Sequence, residues 1–129
     1  MTSNRVLVVE DDPSVRGLLQ TILEDEALDV VVAADGQQGL DLARSTDPAV
    51  VLLDVMMPGL GGPDVIRQLR RADGTLPFAV LVVTGAAEIV ESLRAELGPD
   101  AVLEKPFDIT TLATRVKLLA QGHATQEHP

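Results

Sequence analysis

The sequence predicts an α/β fold: a five-stranded parallel sheet, doubly wound, with one helix after each strand. Three observations predict it. Five short runs rich in Val and Leu are nearly continuous rather than alternating, which is the pattern of strands covered on both faces. Segments with helical spacing lie between these runs. Pairs containing Gly, Pro or Asp fall at the junctions. Strands that alternate with helices imply parallel pairing and right-handed crossovers.

The first strand is read at Arg5–Val9. Asp12-Pro13 then opens a helix, with Asp as the N-cap and Pro in the first turn. In that helix Val15, Leu18, Leu19, Ile22 and Leu23 make one apolar face. The second strand is Leu28–Ala33, followed by an Asp35-Gly36 turn and a helix over Gly36–Ser45. Asp47-Pro48 leads into the third strand, Ala49–Leu53, and Pro63–Ala72 forms the third helix. The fourth strand is Phe78–Val83; Ile89, Leu93 and Leu97 repeat every four residues in the helix after it. The fifth strand is Ala101–Leu103, and Leu112, Val116 and Leu119 mark the last helix. Residues 1–121 make one domain without internal repeats. Residues 122–129 are polar and lack periodicity, as expected of a flexible tail or the start of a linker.

Composition narrows the function. A chain of 129 residues suits one domain, and 46% hydrophobic residues suffice for a core. With 2% aromatic residues and neither Trp nor Tyr, that core must be aliphatic. The net charge of −10 makes direct nucleic-acid binding by this domain a poor fit, and an anionic membrane equally so. Without cysteine there are no disulfides, thiolate zinc sites or thiol nucleophiles. The first residues lack a signal-peptide layout, and no apolar stretch approaches the roughly 18–20 residues of a membrane helix. The expected location is the cytoplasm.

Ligands of open α/β sheets bind outside the carboxyl ends of the strands. Glu10, Asp11 and Asp12 follow the first strand, Asp54 the third, Thr84 the fourth, and Glu104-Lys105-Pro106 the fifth. Carboxylates, a hydroxyl and an ammonium at one sheet edge suit a hard divalent cation such as magnesium and an incoming phosphoryl group. The chemistry suggested is phosphoryl transfer to a carboxylate. Taken singly, Asp54 also reads as a turn residue and Thr84 as an N-cap for the next helix; Asp12 is assigned to capping.

Val6–Asp12, Leu52–Gly59, Val83–Gly85 and Glu104–Phe107, in this order, resemble the signature of the response-regulator receiver domain, the CheY-like superfamily of two-component signalling. The resemblance runs from about Arg5 to Ala120. It implies a flavodoxin-like strand order, 2-1-3-4-5, and Asp54 as acceptor of a phosphoryl group from a histidine kinase, a phosphotransfer protein or a small phosphodonor. Further implications are Mg²⁺ held by Asp11, Asp54 and the backbone carbonyl of Met56, with Glu10 acting through water. Lys105 and Thr84 would meet the phosphoryl oxygens, and Lys105-Pro106 would be cis. The family often pairs through its fourth helix, fifth strand and fifth helix, where Arg94, Glu96, Arg115 and Lys117 lie as either contact charges or a solvated face.

One departure stands out. The aromatic residue of the family's switch, three positions before the lysine, is Val102 here. Met56 and Ala86, at positions said to tune the lifetime of the phosphorylated state, offer no charged or amide group to position water, so slow self-dephosphorylation is expected. The reading is a signalling switch that catalyses its own phosphorylation. An interaction module that works without phosphate is the alternative. A hydrolase or nucleotide enzyme on a similar sheet fits less well, because the Gly-rich phosphate loop is missing.

Overall fold

The computed structural model describes residues 4–55 and 61–126. Five strands, β1 (Arg5–Val9), β2 (Asp29–Ala33), β3 (Val50–Asp54), β4 (Ala79–Thr84) and β5 (Val102–Glu104), alternate with five helices. These are α1 (Pro13–Glu24), α2 (Gly36–Thr46), α3 (Gly62–Leu69), α4 (Ala87–Leu97) and α5 (Ile109–Gln126), with one 3-10 turn at Pro99–Ala101. The strands form a single sheet in the order β2-β1-β3-β4-β5, all neighbours parallel. The expected fold class and strand order are both present.

Alternation along the strands feeds two cores. Leu7, Val9, Val51, Leu53 and Val82 face one side, with Leu40 and Ala43 of α2, Val65 and Ile66 of α3, and Val90 and Leu93 of α4. Val6, Val8, Val50, Leu52, Leu81 and Val83 face the other, with Leu19 and Leu23 of α1 and Leu112, Val116 and Ala120 of α5. All five residues of β3 are buried, which is why the central runs are continuously apolar. Where α2 crosses β1, a Cβ at Gly39 would lie 2.9 Å from a methyl of Val9. Glycine there lets helix and strand approach closely.

Local chemistry sets the boundaries. Asp12 caps α1, its side chain accepting from the N–H groups of Ser14 and Val15 at 2.8 and 3.2 Å. Asp35 caps α2 through Gln38 N–H at 2.8 Å, so the expected plain turn is also a helix start. The third helix ends at Leu69 rather than Ala72, because Arg70 turns extended and a tight turn follows. In that turn Gly74, at φ +88°, donates to Arg71 O at 2.9 Å. The last helix runs to Gln126, five residues past the edge expected at Gln121. No proline interrupts it, and one glycine costs a helix only about 1 kcal/mol.

Candidate functional site

Parallel pairing puts every strand's carboxyl end on one edge. The chain leaves β1 for β2 on one side and later enters β3 on the other, so a crevice opens between the ends of β1 and β3. Glu10, Asp11 and Asp54 meet there: one carboxylate oxygen from each lies within 4.8 Å of the others. Asp54 and Glu10 are 5% and 3% exposed, whereas Asp11 faces solvent. Lys105 Nζ reaches from the loop after β5 to 3.5 Å from Asp54 Oδ2. That loop continues the sheet ladder, since Lys105 N–H donates to Thr84 O at 2.7 Å. The Lys105-Pro106 peptide is cis, as the resemblance implied.

Thr84 ends β4 and is fully buried. Its Oγ1 accepts from Ala86 N–H at 3.0 Å. It is not the N-cap of α4, contrary to one sequence expectation: Ala86 holds that position and α4 has no side-chain cap. The strand extends one residue further than the apolar run implied, and this keeps Thr84 in the sheet.

Electrostatics make this pocket costly as it stands. Two like charges about 4.8 Å apart repel by about 3 kcal/mol at an effective dielectric near 20. Glu10 responds most: its carboxyl is pushed up from 4.5 to about 7. Burial is the main cause, followed by the hydrogen-bonding and charge of the adjacent Asp54, while Asp12 N–H and Lys105 pull the other way. Glu10 Oε1 accepts from Asp12 N–H at 3.4 Å, but no donor among the described residues reaches Glu10 Oε2, which is buried. An orphaned buried oxygen in an all-oxygen cluster calls for a proton or a hard cation. The described residues therefore fit Mg²⁺. The carbonyl of Met56, the remaining expected ligand, lies outside the described residues.

Sequence reasoning missed Arg16. From one turn inside α1 its Nη1 donates to Glu10 O at 2.9 Å and to Asp11 O at 3.4 Å. Its position four residues after the cap Asp12 was the available signal, since i and i+4 share a helix face.

Away from the pocket, Val102 is 1% exposed and packs with Val82, Val90 and Leu93. The four surface charges considered for pairing between copies have partners within the chain. Arg94 meets Glu91 at 3.5 Å, Glu96 meets Arg70 at 3.0 Å, Lys117 meets Glu26 at 3.4 Å, and Arg115 donates to Asp100 O at 3.1 Å. Such exposed pairs contribute little and exchange readily. Among the described residues no helix is long and apolar enough to cross a membrane.

A family model described as "Response regulator receiver domain" matches residues 6–117. The chain is 42% identical over 114 residues to the DNA-binding response regulator MtrA of Mycolicibacterium smegmatis, a match spanning 88% of this chain and 49% of that protein. It is 38% identical over 125 residues to the transcriptional regulatory protein CpxR of Escherichia coli, spanning 96% of this chain and 53% of that protein. The chain thus spans about half the length of the curated relatives it matches. Among solved structures, the receiver domain of the Francisella response regulator 1452 superposes with a TM-score of 0.79 at 30% identity, covering 92% of this chain and 97% of that one. A signal receiver domain from Bermanella marisrubri gives 0.78 at 34% identity, covering 91% and 98%.

Proposed function

The chain belongs to the receiver-domain family of two-component response regulators, and we propose that Asp54 is its phosphoryl acceptor, served by Mg²⁺, Lys105 and Thr84. One observation carries this reading: three carboxylates converge within 4.8 Å while an ammonium stands 3.5 Å from one of them. Asp54 is the member that is both buried and paired with the lysine.

An Asp54 oxygen attacks phosphorus as the bond from phosphorus to the donor breaks. The electron pair leaves with the donor, a kinase imidazole nitrogen or an oxygen of a small phosphodonor. The product is an acyl phosphate. Glu10, Asp11 and Asp54 would hold Mg²⁺, which supplies positive charge to the transferring phosphoryl oxygens. Lys105 meets those oxygens from the β5 side and is already in place. The Thr84 hydroxyl hydrogen can turn toward a phosphoryl oxygen while Oγ1 still accepts from Ala86 N–H, which links a group on the phosphoryl to the start of α4. With Val102 stiff and buried, that loop is the route by which modification reaches the surface.

The phosphoryl source is read as a histidine kinase, with a phosphotransfer protein or small donor as substitutes, in the cytoplasm. Copies of the chain are read as pairing through α4, β5 and α5, the face that carries Arg94, Glu96, Arg115 and Lys117. The curated relatives named as DNA-binding or transcriptional regulators are about twice as long as the matched span. At a net charge of −10 this span is a weak source of phosphate-backbone contacts, so its own contacts are read as protein–protein.

Incubation with acetyl phosphate and Mg²⁺, followed by intact-mass and fragment analysis, tests the reading. The expected result is a gain of one phosphoryl group on Asp54, suppressed by EDTA and absent in Asp54→Asn. An unmodified protein under these conditions would favour an interaction module that works without phosphate.

A further inference from the structure

We propose that Arg16 is a positioning residue for the cation pocket: its guanidinium holds the main chain of both acidic residues after β1, so that their side chains converge with Asp54. The inference rests on the Mg²⁺ reading above and assigns a role to a residue outside the carboxylate set. Glu10 and Asp11 sit just past the end of β1, where the regular ladder stops. Arg16 Nη1 donates to Glu10 O at 2.9 Å and to Asp11 O at 3.4 Å. The backbone N–H of Arg16 also donates to Asp12 O at 2.8 Å, the first bond of α1. One residue thus ties the helix start and the acidic loop into a single unit.

The chemistry explains why arginine stands there. A charged donor makes stronger hydrogen bonds to carbonyls than a neutral one. Both bonds leave one guanidinium nitrogen, Nη1, whose two N–H groups are held in a rigid plane, whereas the donors of a lysine ammonium rotate on a flexible stem. Asp11 is exposed, so its direction depends on its backbone rather than on packing.

Mn²⁺ binding to the unphosphorylated chain, read by electron paramagnetic resonance of the free ion, tests this. The variants are Arg16→Met, which keeps the apolar stem, and Arg16→Lys, which keeps the charge without the planar donor group; Asp11→Asn is the reference for pocket loss. Partners behind metal ligands are worth about 10–100-fold in affinity, so Arg16→Met is expected to raise the Kd by about 10-fold or more, with Arg16→Lys in between. Circular dichroism confirms that each variant is folded, and if Arg16→Met is not, Arg16→Lys carries the test. A Kd within about twofold of wild type in every folded Arg16 variant, while Asp11→Asn binds poorly, overturns the inference and leaves the cation reading intact. A wild type that binds no better than Asp11→Asn overturns both.

Discussion

Lys105→Met is expected to slow phosphoryl uptake by about 100- to 1,000-fold, the usual cost of removing one preorganised group that meets charge in the transition state. Lys105 Nζ lies 3.5 Å from Asp54 Oδ2, and the backbone behind it is fixed by a 2.7 Å bond from Lys105 N–H to Thr84 O. The ammonium is therefore placed before the donor arrives. Methionine keeps the length of the stem and its apolar contacts, so the loss is of charge rather than packing. Binding of Mg²⁺ should be unchanged or tighter, because a competing cation has gone from the Asp54 carboxylate. Time courses of intact mass with acetyl phosphate separate the two effects; uptake at the wild-type rate would remove Lys105 from the mechanism.

Glu10→Gln is expected to stabilise the metal-free protein above neutral pH while weakening its hold on Mg²⁺. The folded protein raises the Glu10 carboxyl from 4.5 to about 7, so it prefers the protonated form. Stability from that preference is complete below about pH 4.5 and is lost as pH rises through about 7. Gln imitates the protonated state at every pH. At pH 8 in EDTA the variant should gain on the order of 3 kcal/mol, since each tenfold change in proton affinity between the folded and unfolded chain is worth about 1.4 kcal/mol. Near pH 4.5 the two proteins should unfold alike. The lowered carboxyls of Asp73, held by Thr75, and Asp108, held by Thr111, act below their ordinary value of 3.8, outside this window. Urea unfolding at several pH values checks the difference; parallel curves for wild type and variant would mean that Glu10 carries no buried charge. Function here opposes stability, as expected where like charges are held together for a cation.

Much of this was legible in the sequence because period and punctuation agree. Val6–Val9 and Val50–Leu53 are continuous apolar runs since both faces of the sheet are covered, and Asp12-Pro13 marks a helix start that the structure caps as expected. Strand ends were less legible: Asp54 and Thr84 are polar yet belong to β3 and β4, because the ladder carries backbone pairing past the apolar run. The convergence of Glu10, Asp11, Asp54 and Lys105 was legible, since parallel strands bring all their carboxyl ends to one edge. The burial of Glu10 beside Asp54 was not, because neighbours in sequence say nothing about which acid turns inward. Arg16 was harder to read for a related reason: spacing from Asp12 puts it on the right helix face, but its partners are backbone carbonyls, which the sequence does not name.

The most direct measurement is fluorine NMR of the chain with beryllium and fluoride, which form a tetrahedral mimic of a phosphoryl group on a carboxylate. A pocket built from Asp54, Lys105 and a cation should give bound resonances distinct from free fluoride species. They should require Mg²⁺, disappear in Asp54→Asn and weaken in Lys105→Met. Bound resonances that persist in Asp54→Asn, or never form in the wild type with Mg²⁺ present, would contradict the account.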